Sequence, residues 1–563
     1  MKARKVLSAS IACMLLVSAF SACTNSSSPS SSTPPASTTA DSGSSSEVNS
    51  ALAELGLDEN FKFAETRKIT VEIYDRANEG GSDPTNNHYT NFIKEGMLRD
   101  HNVEVSYVAV PRWTEDVDIN NLLAAGNAPD ICVTYSYPTI QTYAEMGGVV
   151  DLAPYMEKTK EVIPDLWDLL GETNIYFDQD PTTKTLWALE AMLRHNPRIV
   201  TFVREDWLKA LNMNEPTTLA EFEAMLNAFK DNASTLLGAD AKKMIPFSTS
   251  FDIGWRADLL NVSYVADGIT DKELYINGYD DRHLLYPGWK EGVRKLNEWY
   301  NAGLVWKDFA LYPAGDKTED NLMKAGFVGS FIHNWDYPFR DGSDGIQMQL
   351  KSIVGEDAGY IAVDPFKNDA GVARKYLAST VDRKIFFPAS NDEPVASLLY
   401  LNWISKQDNR IYLQFGDEGS TYQKTADGAY QTIKGEGDKI MNSGNNIDYT
   451  ITINGIDLGD DELTMKSMAL NYAGIDAKYV ARAYEVAKNE GRVAATYNVG
   501  KVNAEEGMGT SLKEKRDTLL TKAVTASTDK FDSVYDSGMS DYMASGGQAI
   551  IDERTQKFAE FYE

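Results

Sequence analysis

Residues Leu122 to Pro138 read LLAAGNAPDICVTYSYP, and this stretch decides the fold class. Its apolar start is typical of a helix, Gly126 ends that helix, and Ile131 to Val133 form a short apolar run. Such a run after a tight turn predicts a strand buried on both faces, as in a parallel sheet. The polar aromatic loop that follows then lies beyond the carboxyl end of the strand, where α/β folds bind ligands. An ordinary buried strand with an incidental pair of tyrosines is the alternative.

The order of the flanking segments predicts the same fold class. Lys68 to Tyr74 alternates apolar and polar residues as a strand does, and a second such run follows at Val103 to Tyr107. Apolar residues at helical spacing lie between these strands and again before the opening stretch. Strand, helix, strand, helix, strand predicts a parallel, doubly wound α/β sheet. The 563 residues, 43% of them hydrophobic, suffice for two or more domains.

The first 48 residues indicate export and a lipid anchor. A basic start precedes the apolar run Val6 to Phe20, which is too short to span a bilayer with certainty. Small residues then precede Cys23, which resembles the bacterial lipoprotein signal, whose cysteine is acylated (for example with palmitate) and becomes the mature N-terminus. We expect a signal peptide over residues 1–22, and a lipid anchor with a Ser/Thr/Pro-rich tether over residues 23–48. A plain secretory signal is the alternative.

Composition limits the classes of partner. The net charge of −29 and the pI of about 4.6 argue against nucleic acid and anionic lipid surfaces, which attract cationic proteins. Of the three cysteines only Cys132 remains in the globular part, so we expect stability to come from the core rather than from disulfides. Beyond the signal, no apolar run is long enough to span a membrane.

Polar aromatic loops at strand ends supply the candidate ligand-binding residues. A second apolar run, Phe327 to Ile332, opens into such a loop, as the opening stretch does. Aromatic rings pack on the C–H faces of sugars, while carboxylates and guanidinium groups bind sugar hydroxyls. The candidates are Trp335, Tyr135, Tyr137, Asp75, Arg76, Trp113, Trp255, Arg256 and Asp336. Packing within a lobe is the alternative for each aromatic ring. We interpret Asp130 as structural, and Trp207, Trp299 and Trp403 as core residues.

Five segments carry a family resemblance. They are the signal end at Cys23, AAGNAPDI (Ala124–Ile131), VREDWLKALNMNEPTTLAEFEAMLNAF (Val203–Phe229), KAGFVGSFIHNWDY (Lys324–Tyr337) and GGQAIIDERTQKF (Gly546–Phe558). In this order they resemble bacterial extracellular solute-binding proteins of the sugar-binding type, the lipoprotein receptors of ABC importers. The fourth segment matches the family strand whose end carries a ligand-stacking Trp, and the fifth resembles the terminal helix of the larger Gram-positive members.

The resemblance implies a type II periplasmic-binding-protein-like fold, in which crossover strands join two α/β lobes and the ligand cleft lies between them. Lobe 1 would comprise residues 65–198 plus 385–445, and lobe 2 residues 199–384 plus 446–563. Relatives often carry an Asp-rich, calcium-like loop after Phe229. Here that loop reads KDNASTLLGADAKK and lacks alternating acidic ligands, so we expect no calcium there, and no other metal or cofactor.

The implied function is capture of a carbohydrate, an oligosaccharide in view of the chain length, and delivery to the permease subunits of an ABC importer by hinge closure. We expect a monomer held by its N-terminal lipid alone at the outer face of the cytoplasmic membrane, in a Gram-positive cell. Because a fold does not fix its ligand, peptides or another solute remain an alternative.

A surface glycosidase is the less favoured alternative. A glycosidase needs two carboxylates on opposite sides of a cleft. Because the chain has 83 acidic residues, the presence of such a pair in the sequence is not informative. The five histidines are scattered, and the sequence has no His-Glu-x-x-His, Gly-x-Ser-x-Gly or P-loop motif. We therefore expect no enzyme.

Overall fold

The computed structural model describes residues 52–77, 81–279, 283–312, 316–368, 371–472, 474–493 and 495–563. The predicted signal peptide and anchor, including Cys23, lie outside the described residues. Within those ranges, every helix is too short or too polar to cross a membrane.

Strands and helices alternate over the first third of the chain. The elements are β1 (Arg67–Asp75), α1 (His88–His101), β2 (Val103–Pro111), α2 (Glu115–Ala124), β3 (Cys132–Thr134), α3 (Tyr137–Glu145), α4 (Ala153–Thr159), α5 (Pro164–Ile175) and β4 (Leu189–Leu193). β1 runs parallel to β2 along its whole length. Backbone bonds join the other edge of β1 to Ile131, just before β3, also in parallel. The parallel, doubly wound start predicted from the sequence is therefore confirmed.

The middle of the chain builds a second sheet. Its elements are β5 (Ile199–Arg204), α6 (Glu205–Ala210), α7 (Leu219–Asp231), α8 (Ala233–Leu237), β6 (Ile245–Ser248), α9 (Ile253–Arg256), α10 (Asp258–Val262), α11 (Asp271–Asn277), α12 (Trp289–Asn301), α13 (Thr318–Lys324), β7 (Val328–Asn334), α14 (Ile346–Val354), β8 (Tyr360–Val363), β9 (Lys375–Tyr376) and β10 (Val381–Phe386). The strand order is β6-β7-β5-β8, and β5 is antiparallel to both of its neighbours. All six residues of β5 are buried, as its central position requires.

The last third adds helices and four short strands, one of which joins the sheet of β3 and β4. Its elements are α15 (Pro394–Ser405), α16 (Gln407–Phe415), β11 (Tyr422–Lys424), β12 (Tyr430–Thr432), β13 (Ile453–Asn454), α17 (Asp461–Leu470), α18 (Ala477–Lys488), β14 (Gly491–Arg492), α19 (Gly509–Thr525), α20 (Phe531–Tyr542) and α21 (Gln548–Tyr562). β10 returns the chain to the first part of the molecule, where it lies antiparallel between β3 and β4. β13 then pairs in parallel with β4, which gives the order β13-β4-β10-β3.

Two hydrophobic cores define two lobes. The first core draws its buried residues from 52–189, 385–413 and 449–453, and the second from 199–366 and 469–550. We call the parts built on them the first and second lobe. Residues 449–453 lie in the first core because Ile453 pairs with Met192 on β4. That placement differs from the boundary expected at residue 446, and the exact lobe boundaries remain a prediction.

Candidate functional site

Two adjoining cavities, of about 510 and 850 Å³, lie between the lobes. Their linings share Pro138, Thr142, Glu505 and Glu506, so they form one continuous depression, which we call the interlobe groove. The first-lobe wall is α3 together with side chains between residues 177 and 187. The opposite wall consists of residues 496–516 and side chains of the second lobe, among them Tyr275 and Tyr279.

Helix α3 places the first ring of the groove. β3 ends at Thr134, and α3 begins three residues later with Pro138 in its first turn, where a proline fits the helix geometry. The Ser136 side chain caps this start by accepting from the Thr139 amide. The Tyr137 hydroxyl donates to the Asp178 carbonyl oxygen (2.9 Å), which fixes the tyrosine against the loop after α5.

A carboxyl pair lies directly behind this wall. Asp178 lines the groove, whereas Glu190 on β4 is buried, and the two carboxyl groups lie close enough to influence each other's pKa. Burial, reinforced by the negative charge of Asp178, raises the pKa of Glu190 to about 10. Glu190 therefore keeps its proton at neutral pH. The Lys384 ammonium lies 3.2 Å from Glu190 Oε1 and lowers the free-energy cost of burying the two carboxyl groups.

The second-lobe wall is built on aromatic rings. Tyr275 and Tyr497 meet edge to face with their centroids 5.5 Å apart, and Tyr497 also packs on Phe558 of α21 (4.8 Å). The Arg554 guanidinium lies 4.7 Å from the Tyr275 ring and donates to the Tyr275 carbonyl oxygen (2.6 Å) and to Glu505. These contacts fix two phenol rings at the surface of the groove.

Residues 496–502, which we call the bridging segment, bond to both lobes. The Asn498 side chain donates to the carbonyl oxygens of Phe177 (3.2 Å) and Gln179 (2.6 Å) in the first lobe. Its backbone amide donates to the Tyr562 hydroxyl (3.0 Å) at the end of α21. Lys501 pairs with Glu145 at the end of α3. The segment therefore ties the lobes together at one end of the groove.

Asp75 and Arg76, two charged residues predicted to bind ligand, form their hydrogen bonds within the first lobe. The Arg76 guanidinium binds both carboxylate oxygens of the buried Asp448, at 2.6 and 2.9 Å. Asp75 accepts from the Ala77 amide (2.8 Å) in the loop after β1. Neither residue lines the interlobe groove.

Two predicted aromatic residues of the first lobe, Trp113 and Tyr135, pack against the same arginine. Arg112, directly after β2, lies 4.3 Å from the Tyr135 ring, 5.1 Å from Tyr74 and 5.4 Å from Trp113. Tyr135 stacks on Tyr74 with their centroids 6.3 Å apart, and 75% of Trp113 is exposed. This cluster lies at the carboxyl ends of β1, β2 and β3, as predicted from the strand ends, but outside the lining of the groove.

In the second lobe Arg256 is fully buried and bonded. Its guanidinium binds both carboxylate oxygens of Glu319 at 2.7 Å and donates to the Ile332 carbonyl oxygen (2.6 Å). Trp255 is half-buried, with the Arg198 guanidinium 4.3 Å from its ring.

Trp335 and Asp336 follow β7, as expected. The Trp335 indole packs edge to face on Tyr484 (5.3 Å) and Tyr472 (6.2 Å), between two hydrophobic clusters. Asp336 accepts from Arg340 (2.6 Å) and from the Tyr472 hydroxyl (2.9 Å). Of the nine predicted ligand-binding residues, Tyr137 alone lines the interlobe groove, and the ligand roles of all nine remain predictions.

Sequence reasoning missed most of the groove. Asp178, Trp187, Tyr275, Tyr497 and Arg554 belong to loops and to helix faces, not to the ends of apolar strands. The one available signal was the polar aromatic run YNVGK, residues 497–501, between two helical segments. Across the described ranges, no three His, Cys, Asp or Glu side chains converge to hold a metal.

Comparisons with known proteins agree with this architecture. The alginate-binding protein AlgQ2, in its calcium-free crystal structure, superposes with a TM-score of 0.60 at 16% identity, over 89% of this chain and 100% of that one. A solute-binding protein of Bifidobacterium longum infantis, described as binding human milk oligosaccharides (HMO) and associated with an ABC transporter, gives a TM-score of 0.61 at 14% identity, over 88% and 99%. At these identities the likeness establishes the fold.

Sequence comparison identifies the family. The polygalacturonan/rhamnogalacturonan-binding protein YtcQ of Bacillus subtilis is 22% identical over 347 residues, which are 58% of this chain and 62% of that protein. The match thus spans less than two thirds of that relative. The family model described as bacterial extracellular solute-binding protein matches residues 93–419, more than half of the chain. The chain therefore belongs to the bacterial extracellular solute-binding proteins, with the two-lobed fold of that family.

Proposed function

We propose that this protein binds an oligosaccharide outside the cytoplasm and delivers it to an ABC importer. The observation that supports this most directly is the interlobe groove, where aromatic rings alternate with hydrogen-bonding side chains. Tyr137 and Trp187 line the first-lobe wall, and Tyr275 and Tyr497 line the second. Rings of this kind stack on the apolar faces of sugars, and the amide and carboxylate groups between them suit sugar hydroxyls. The two cavities, of about 510 and 850 Å³, offer room for several sugar rings rather than one.

The names of its relatives support the same substrate class. The Bacillus relative is named for binding polygalacturonan and rhamnogalacturonan, and the structural neighbours for binding alginate and milk oligosaccharides. The Bifidobacterium protein is described as associated with an ABC transporter, and the family is one of solute-binding proteins, so the proposed role is transport of a bound sugar without catalysis.

Delivery and location complete the proposal. A receptor of this kind closes its lobes around the ligand and docks on the permease subunits through both lobes. We propose that Cys23 carries lipid and that the tether holds the monomeric receptor at the outer face of the cytoplasmic membrane of a Gram-positive cell.

A thermal-shift screen against oligosaccharides, with amino acids and short peptides as controls, tests the proposed substrate class. A ligand that binds only the folded protein raises the melting temperature by mass action. We expect one oligosaccharide series to raise it, and the shift to disappear in Trp187→Ala. The matched control is Tyr479→Ala, because this ring bonds to Glu205 outside the groove. Shifts with peptides alone would overturn the carbohydrate assignment and keep the fold.

A further inference from the structure

The charged side chains of the interlobe groove are unevenly balanced. Its carboxylates are Glu145, Asp178, Asp180, Glu505 and Glu506, and its cations are Lys501, Lys513, Arg516 and Arg554. A ligand that enters therefore meets an excess of negative charge. The whole chain has the same sign, at −29.

Three of the four cations of the groove are already paired with carboxylates of the protein. Lys501 pairs with Glu145 and with Glu506 (3.1 Å). Arg554 pairs with Glu505, and Arg516 with Asp517 (3.0 Å). Lys513 is exposed on the surface of α19. At Lys501, Arg516 and Arg554 a ligand carboxylate would have to displace a bonded carboxylate of the protein, which costs free energy. A pair with the exposed Lys513 would contribute little, because water screens it.

Asp178 offers an acceptor suited to hydroxyl groups. Its Oδ2 is buried and has no hydrogen-bond partner among the described residues. Asp178 and Trp187 line the same cavity. A carboxylate accepts from two neighbouring sugar hydroxyls, while an adjacent ring supports the sugar face.

We propose that the interlobe groove selects an uncharged oligosaccharide over one built from uronic acids, and that Asp178 accepts hydrogen bonds from its hydroxyl groups. This inference rests on the proposed carbohydrate function and specifies its substrate class. If the protein preferred uronic acids instead, Arg112 is the residue that we would expect to bind their carboxylates. Its guanidinium packs on three aromatic rings outside the groove.

Matched ligands that differ only in charge test the specificity. Oligogalacturonates carry one carboxylate per ring, and carboxyl reduction converts them to uncharged galactose chains of identical length and linkage. Alginate and glucuronate oligosaccharides, each with its reduced form, extend the panel, together with neutral gluco-, xylo- and manno-oligosaccharides. Binding to the purified protein is measured by titration calorimetry at low and at physiological ionic strength.

We expect the tightest ligand to be uncharged and its affinity to be independent of salt. If a uronic acid oligosaccharide binds more tightly than its reduced form, the inference is overturned while the proposed function stands. Arg112→Gln would then locate the site, because it would remove the preference for the charged form. If no saccharide in the panel binds, the inference and the proposed function are both overturned.

Asp178→Asn gives a second readout with opposite signs for the two ligand classes. It weakens an uncharged ligand by about tenfold or more, since a bond to a charged acceptor is lost. It would strengthen a uronate, because a like charge leaves the groove. Thermal unfolding at neutral pH checks that the variant is folded. An unchanged affinity in a folded variant would overturn the role of Asp178.

Discussion

At the residue scale, the charges of this protein are largely bonded to one another. Arg76 and Arg256 were predicted to bind ligand because they follow apolar segments in polar aromatic contexts. In the structure each forms a two-point bond with a carboxylate, Asp448 and Glu319 respectively. Asp130 was interpreted as structural, and this is confirmed, since its carboxylate accepts from the amide and hydroxyl of Thr70 on β1.

Arg256→Met tests the structural role of one such bond. The substitution leaves the largely buried Glu319 carboxylate, 13% exposed, without its cation. We therefore expect a loss of about 3–5 kcal/mol in unfolding free energy. Urea unfolding followed by tryptophan fluorescence measures it. Lys243→Met removes an exposed pair with Asp240 (3.0 Å) and serves as the control, with an expected change below about 1 kcal/mol. Equal losses in the two variants would contradict the assignment.

Glu190→Gln tests the proton held behind the groove. The pKa of Glu190 is raised from 4.5 to about 10, so above pH 5 the folded protein binds a proton that the unfolded chain releases. This costs stability, and the cost grows as pH rises through that interval. Gln mimics the protonated form without titrating. At pH 8 we expect the unfolding free energy of the variant to exceed that of the wild type by more than about 1.4 kcal/mol, the equivalent of one pKa unit. Near pH 4.5 the two unfolding free energies should match.

The control for that experiment is Glu221→Gln. Glu221 is exposed, and its carboxylate accepts from the Thr217 amide and hydroxyl (2.8 Å each), which lowers its pKa. No gain at pH 8 is expected for this variant. If Glu190→Gln lost stability at pH 8, Glu190 would have to be ionised in the folded protein.

At the scale of secondary-structure elements, local sequence patterns identified the helices and strands but not the residues or strands with which they pair. Thr218 caps α7 by accepting from the Glu221 amide (3.2 Å), and the Glu221 carboxylate accepts in return from the amide of the neighbouring Thr217. The short strand β13 pairs with β4, which lies far away in the sequence, and no local pattern identifies that partner.

Gly96→Ala tests the packing of α1 on α15. A Cβ at Gly96 would lie 2.1 Å from the Trp403 indole, which is buried and donates to Asp100 (2.9 Å). The ring cannot move without losing that bond, so we expect the variant to lose about 1–3 kcal/mol. The control is Gly509→Ala at the start of α19, where nothing lies within 4 Å and stability is expected to hold or rise slightly. Thermal unfolding of both variants decides between these outcomes.

At the scale of the whole molecule, the bridging segment controls how the lobes meet. Asn498→Ala removes two hydrogen bonds to first-lobe carbonyl oxygens. We expect a larger radius of gyration by solution scattering in the absence of ligand, and about tenfold weaker sugar binding, because closure must proceed without these bonds.

Asn503→Ala is the matched control for the bridging segment. Its amide bonds to Glu553 on α21 (3.1 Å), so the contact stays within the second lobe. The radius of gyration and the affinity should both remain unchanged in this variant. Equal dimensions for the Asn498→Ala variant and the wild type would show that the segment does not hold the lobes together.

The sequence by itself determined the strand-and-helix order, the α/β fold class and the buried tryptophans Trp207, Trp299 and Trp403, and its family resemblance implied the two lobes. The first three follow from local periodicity, because alternation and helical spacing report which face of an element is buried. The tertiary structure alone decided the groove and the partners of its charges. Arg76 and Asp448 are 372 residues apart, and most of the wall facing α3 comes from the last seventy residues of the chain. No local pattern encodes such contacts, because they depend on how separate elements pack in space.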